Sequence, residues 1–154
     1  NVWLGTSVSD QETADNAIPE LVKCRQLSPC LFLSVEPLVG PIDLHEHLFV
    51  GEEGGHEYVG SPRNFINWVI AGGESGPKAR PCDTRWIQSI VDQCRSSGVS
   101  CFGKQLGSQP IRKAAIPAGG FSHTKFRVFD KKGGDPSEWP ESLRVQQFPK
   151  VTVV

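Results

Sequence analysis

Residues 68–76, with the sequence WVIAGGESG, decide the fold that this chain predicts. The apolar run stops at paired glycines, which are followed by Glu74, Ser75 and Gly76. A short apolar run bounded by glycines is typical of a buried strand, and continuous runs of this kind are frequent in parallel sheets. We therefore expect residues 67–71 to form a strand and residues 72–77 to form a polar loop at its carboxyl end.

Three other apolar segments predict strands of the same sheet: residues 1–8 (NVWLGTSV), 30–35 (CLFLSV) and 99–103 (VSCFG). The run at 30–35 is continuous, as in parallel strands that are covered on both faces. Residues 40–64 are interpreted as a long connecting segment that leaves the core and contains two short extended pieces, at 42–50 and 56–59. After Gly107 regular structure is expected to fade, apart from a short extended piece at 125–130.

Two helices are predicted between these strands. Ser9 and Glu12 have the spacing of a capping box, and Pro19, which lacks an N–H, is expected to split the helix that follows. Asp83 or Thr84 is expected to cap a second helix with one apolar stripe, and Gly98 stands where a C-terminal glycine cap belongs.

Alternating strands and helices predict parallel pairing and an α/β fold. We expect a partial (β/α) barrel of about four parallel strands with crossover helices, because a closed barrel needs about 250 residues. The alternative is a small open α/β sheet. Residues 1–107 would be the C-terminal half of the barrel, residues 108–154 an irregular extension packed on it, and the missing N-terminal half its partner. The absence of Met and a first residue inside a strand support that interpretation.

Composition narrows the classes of protein to consider. The formal net charge of −1 lacks the basic excess of most nucleic-acid or membrane-surface proteins, which leaves a local basic patch as the remaining way to bind polyanions. The apolar stretches are strand-sized and too short to cross a bilayer, so a cytoplasmic protein is expected. The five cysteines show no C-x-x-C spacing, which favours small buried side chains over metal ligands.

Polar residues follow each predicted strand, at the edge where parallel sheets bind ligands. Carboxylates and a lysine can move protons, so the predicted catalytic residues are Glu36, Glu74 and Lys104. Hydroxyl, amide, guanidinium and glycine backbone groups can hold a polar ligand, and the predicted ligand-binding residues are Ser7, Gly72, Gly73, Ser75, Gly76, Arg80 and Gln105. Each of these residues also has an interpretation without a ligand. Gly72, Gly73 and Gly76 would form a tight turn, Arg80 would pair with Glu74 as a structural ion pair, and Glu36 and Lys104 would be solvated surface residues.

Two other groups of residues suggest weaker sites. In an extended segment His45 and His47 would point the same way and could share a metal, but polar loop histidines are the simpler account, and no metal site is assigned. Basic residues between 111 and 134 alternate with phenylalanines, a composition that suits a nucleic-acid strand. The favoured interpretation is a loop region whose phenylalanines pack on the barrel and whose cations stay solvated.

Several blocks of the sequence resemble a family of bacteriophage and bacterial proteins of unknown function, the phage gp-thirty-seven/gp-sixty-eight family, which is thought to be related to radical S-adenosylmethionine barrels. The matching blocks are NVWLG (1–5), LSVEPLVGPID (33–43), INWVIAGGESGPKARP (66–81), GKQLG (103–107) and LRVQQFP (143–149). Gly103 and Leu106 stand where the family usually has an aromatic residue.

The resemblance implies a full-length iron-sulfur enzyme that uses S-adenosylmethionine, with the cluster bound by an upstream cysteine motif. This chain itself holds no cofactor in that interpretation and would be inactive alone. The substrate is not identified by the sequence, and nucleic acid is one candidate. The alternative is a non-catalytic nucleic-acid or protein-binding module of phage origin.

Overall fold

A computed structural model describes residues 2–48, 65–115 and 121–150. Its regular elements follow in chain order: β1 (Leu4–Ser7), α1 (Gln11–Lys23), β2 (Leu31–Val35), α2 (His45–Leu48), β3 (Trp68–Gly72), β4 (Cys82–Asp83), α3 (Thr84–Ser97), β5 (Ser100–Gln105), β6 (Pro110–Ala115) and β7 (Phe121–Lys125). Three single 3₁₀ turns lie at Arg25–Leu27, Pro136–Glu138 and Glu141–Leu143.

The main sheet contains β1, β2, β3 and β5 in that order, and each neighbouring pair is parallel. This confirms the predicted α/β fold with four parallel strands. Spatial order follows chain order, as in successive strands of a β/α barrel, whereas a doubly wound sheet reverses its order. In the described part of the chain the sheet does not close into a barrel.

The two long helices bury one face of this sheet. Helix α1 packs against β1 and β2, and α3 packs against β3 and β5. Leu31, Leu33 and Val35 of β2 are buried in the same core as both helices, and Phe32 and Ser34 between them are half-buried on the opposite face. Alternate side chains of β2 thus point into this core, and coverage of both faces stays a prediction.

Helix α1 begins one residue later than predicted and is not split. Asp10 is the N-cap and forms the capping box with Thr13, in place of Ser9 and Glu12. The helix continues through Pro19, which is exposed, while Ile18 is buried beside it. Burial of one face stabilises a helix more than propensity does, and here it offsets the hydrogen bond that proline cannot make.

Helix α3 has the predicted ends. The Asp83 carboxylate accepts a hydrogen bond from the Arg85 N–H at 3.0 Å, and Gly98 adopts the left-handed conformation with φ of 71°. Ile87, Ile90 and Cys94 are among the residues that form its buried stripe. Asp83 also belongs to β4, which forms a second sheet with β6 and β7, so the cap fixes α3 to that sheet.

Two predictions about the remaining segments are wrong. Residues 45–48 are helical, whereas an extended piece was expected at 42–50, and the piece at 56–59 lies outside the described residues. Regular structure continues after Gly107, because β6 pairs antiparallel with β7. Of the extended piece expected at 125–130, only Lys125 lies in a strand. Basic residues and glycines around this hairpin concealed the strand pattern.

The two edges of the main sheet differ. Beyond β5, Gly103 donates its N–H to the Val145 carbonyl at 2.7 Å, and Phe102 forms a β-bridge with Gln146. Strand β1 has one strand partner, β2, among the described residues. None of the described helices combines the length and apolar character needed to cross a membrane.

The cysteines are predominantly buried, as predicted. All five are free, and Cys30, Cys82, Cys94 and Cys101 are buried, while Cys24 is half-buried. Burial raises the pKa of the Cys82 thiol to about 12. A hydrogen bond with Cys101 and then burial raise the pKa of Cys94, and burial raises that of Cys30.

We predict that an aromatic disulfide reagent at about pH 8 labels Cys24 rapidly and the other four cysteines slowly, because only thiolates react. Absorbance of the released thiolate would measure this, and unfolding in denaturant should expose all five. The Cys24→Ser variant should lose the rapid phase. Rapid labelling of several native cysteines would contradict the buried core described above.

We predict that Asp83→Ala lowers the free energy of unfolding by about 1–3 kcal/mol, since it removes a buried cap and leaves donors unsatisfied. Asp83→Asn is the matched variant, because the amide oxygen can still cap α3 but cannot pair with the charge of Arg85. Denaturant titration should rank the stabilities as wild type, Asp83→Asn, Asp83→Ala. A wild-type stability for Asp83→Ala would show that the cap contributes nothing.

Candidate functional site

The carboxyl ends of β2 and β5 bring three of the predicted site residues together. Glu36 directly follows β2 and is 18% exposed. Its Oε2 accepts a hydrogen bond from Lys104 Nζ at 2.8 Å, and its Oε1 accepts one from Gln105 Nε2 at 2.9 Å. Lys104 is 52% exposed and Gln105 is buried. We name these residues the Glu36 cluster.

Gly72 allows this contact across the intervening strand. Strand β3 lies between β2 and β5, so the two partners stand roughly 9–10 Å apart in backbone position. Gly72 pairs with Gln105 after a register shift in β3 and β5, and a Cβ on Gly72 would lie 3.3 Å from Gln105 Cγ. A side chain at this position would crowd the glutamine that reaches Glu36.

Gly73 is needed for close packing. A Cβ on Gly73 would collide with the Leu106 carbonyl oxygen. Its N–H donates to the Gln105 carbonyl at 3.0 Å, and its own carbonyl accepts from Gln105 Nε2 at 2.9 Å. The amide of Gly73 is therefore already hydrogen-bonded within the protein, and ligand binding by Gly72 or Gly73 stays a prediction.

The second half of the loop is fastened to the end of β5. Gly76 has φ of 114°, which favours glycine, and its N–H donates to Ser108 Oγ at 2.9 Å. Ser108 also donates its N–H to the Glu74 carbonyl and its hydroxyl to the Lys131 carbonyl. Ser75 is exposed on this loop. Ser108 was not among the predicted site residues, although its position just after β5 could have identified it.

Glu74 and Arg80 form an ion pair at the outer side of the loop. Arg80 donates to Glu74 Oε2 from its Nε at 2.7 Å and from its backbone N–H at 3.0 Å. The side-chain hydrogen bond from Arg80, and to a smaller extent the backbone one, hold the pKa of Glu74 below its usual range. The structural pair that was considered for Arg80 is thus present, and catalysis by Glu74 stays a prediction.

The face of the main sheet away from its buried core carries a serine pair and an aromatic cluster. Ser7 stands beside Ser34 in the register of β1 and β2, and Ser7 is exposed. Trp68 lies nearer the amino end and contacts four aromatic rings at centroid distances of 5.4–6.1 Å, those of Trp3, Phe32, Phe102 and Phe148. This aromatic cluster was not predicted, because it depends on the register of neighbouring strands.

His45 and His47 lie on a helical turn and not in the extended segment that was expected. In a helix, residues two positions apart do not face each other, so His45 and His47 cannot share an ion as they would in a strand. His47 Nε2 lies 3.4 Å from Asp15 Oδ1. Among the described residues no three His, Cys, Asp or Glu side chains are grouped as metal ligands.

The interpretation of the basic residues between 111 and 134 is confirmed only in part. Phe126 packs against the core, as expected, and Arg112, Lys125, Arg127, Lys131 and Lys132 are exposed. Phe129 does not pack on the sheet, since 93% of it is exposed.

We predict that Glu74→Gln lowers stability at neutral pH, and that its difference from wild type closes in acid. A carboxylate with a lowered folded pKa stabilises the fold above its unfolded pKa, and that contribution is lost as pH falls through the folded pKa. Thermal unfolding across this pH range measures the effect. In an Arg80→Gln background the substitution should cost less. A difference independent of pH would contradict the role given to the ion pair.

Comparison with known proteins gives a family and no activity. No curated protein and no solved structure matches the chain. Residues 1–145 match the family described as "Protein of unknown function (DUF5131)". That description names no reaction, so the relation to radical S-adenosylmethionine barrels and the phage origin stay predictions. Because the match covers nearly the whole chain, this protein belongs to the DUF5131 family of proteins of unknown function.

Proposed function

We propose that the carboxyl end of the main sheet is the ligand site of an enzyme, and that the Glu36 cluster binds the ligand and transfers protons. The observation that carries this proposal is the position of Glu36, which two donors from β5 hold at the end of a parallel strand. Glu36 is only 18% exposed, and for a partly buried ion pair the desolvation cost can offset the attraction, so stability alone gives little reason for such an arrangement.

The Glu36 cluster can bind both a donor and an acceptor on one ligand. A carboxylate can accept about four hydrogen bonds, and two of those of Glu36 are made within the protein. An ammonium has three donors, and Lys104 uses one on Glu36. The remaining capacity suits a ligand that carries an amino group and an acidic group. Glu36 is then the base and Lys104 the group that orients it.

The residues fit one of the implied cofactors and not the other. S-adenosylmethionine has an amino-acid end with both charges, which matches Glu36 and Lys104, and when bound it would supply the group for transfer or cleavage. An iron-sulfur cluster does not fit, because four of the five cysteines are buried and none lies in a described ligand group. The cysteines that bind such a cluster would have to come from the N-terminal half of a phage-type barrel, which we expect to be the partner of this chain.

The test is ligand titration of paired variants. S-adenosylmethionine and methionine serve as probes, followed by calorimetry and thermal shift. Glu36→Gln and Lys104→Met should each weaken binding of S-adenosylmethionine about ten-fold or more, because each removes a charged hydrogen-bond partner. Glu20→Gln and Lys23→Met are matched controls, since they alter the exposed Glu20–Lys23 pair on α1.

Both control variants should bind like wild type. Equal binding by wild type and the Glu36 and Lys104 variants would exclude this site, and absence of binding of both probes by wild type would exclude this ligand class.

A further inference from the structure

Phe129 is the most exposed of the large hydrophobic side chains in the described residues, with 93% of its surface exposed. It lies between Arg127 and the pair Lys131 and Lys132, all exposed. We name these four residues the Phe129 surface. A single exposed apolar side chain is ordinary, so its meaning depends on how firmly the backbone holds it and on the charges around it.

The backbone around Phe129 is held by side-chain carboxylates. Glu138 Oε2 accepts hydrogen bonds from the N–H groups of Phe129 at 2.9 Å and Asp130 at 3.2 Å. Asp130 Oδ1 accepts from the N–H groups of Lys132 at 2.9 Å and Gly134 at 2.7 Å. The ring therefore projects from a fixed turn, which lowers the entropy cost of a partner stacking on it.

The same turn is joined to the core. Gly133 accepts a hydrogen bond from the Leu106 N–H at 2.8 Å and another from Trp139 Nε1 at 2.9 Å, and Trp139 is buried. Gly133 has a φ of 63°, which is in the left-handed region. Phe129 is thus exposed on a turn that the hydrophobic core positions.

The carboxylates in this turn leave the cations available. Asp130 and Glu138 accept backbone hydrogen bonds, and within the described residues neither lies within ion-pair distance of Arg127, Lys131 or Lys132. An exposed aromatic ring with exposed cations two and three positions away in the sequence has the groups that bind single-stranded nucleic acid, in which bases stack on rings and phosphates contact Lys and Arg.

We propose that the Phe129 surface binds single-stranded nucleic acid, with a base stacked on Phe129 and the neighbouring phosphates contacted by Arg127, Lys131 and Lys132. An acidic protein segment would use the same cations but would gain little from the exposed ring. This inference is independent of the Glu36 cluster, whose residues take no part in it.

The experiment is fluorescence anisotropy with a labelled oligothymidylate of about 20 nucleotides, at about 50 and 200 mM salt. Phe129→Ala should weaken binding about five-fold or more, because it removes the stacking partner of a base. The double variant Lys131→Gln, Lys132→Gln should weaken binding and lower the slope of log affinity against log salt by about 2.

Matched controls separate this surface from general effects. The double variant Lys23→Gln, Arg95→Gln removes the same charge from α1 and α3, and Phe148→Ala removes another exposed ring. Both should bind like wild type. Circular dichroism would confirm that each variant is folded.

An abasic oligomer of the same length tests the stacking directly, because Phe129→Ala should not change its affinity. Undetectable binding by wild type, equal losses in test and control variants, or equal affinity for polyglutamate would each overturn the proposal. Glu36→Gln should leave this affinity unchanged, so failure here and failure at the Glu36 cluster are distinguishable.

Discussion

The candidate site depends on the way Gln105 bonds across β3. Its backbone carbonyl and its side-chain amide both pair with Gly73, and the same amide nitrogen reaches Glu36. One buried residue therefore fixes the end of β5, the start of the polar loop and the carboxylate at the end of β2. Gly72 and Gly73 are required because Gln105 and Leu106 occupy the space that side chains there would need.

The main sheet was predictable from the sequence because local signals agreed with tertiary packing. Apolar runs identified the strands, and Asp83 and Gly98 identified both ends of α3. Where the two disagreed, packing decided the structure: Pro19 remains inside α1 because that helix is held by its buried face. The β6–β7 hairpin was missed because its basic residues and nearby glycines conceal strand alternation.

The site was only partly predictable, for a different physical reason. Position after a strand correctly grouped Glu36, Lys104 and Gln105, since parallel strands end at one edge. Spacing left open whether Glu74 pairs with Arg80, because that depends on side-chain conformation, and it could not show that loop amides bind Gln105 and Ser108, which are distant in the chain. The aromatic cluster around Trp68 depends equally on strand register.

Because the core lies on one side of the main sheet, each strand has two kinds of position. On each strand, residues such as Leu33 and Val69 fill a close-packed interior, where a change of one methylene is felt. Their neighbours Ser34 and Ile70 point to the opposite face, where they are half-buried. Alternation along a single strand thus separates positions constrained by the packing of this core from positions on the face that carries the aromatic cluster around Trp68.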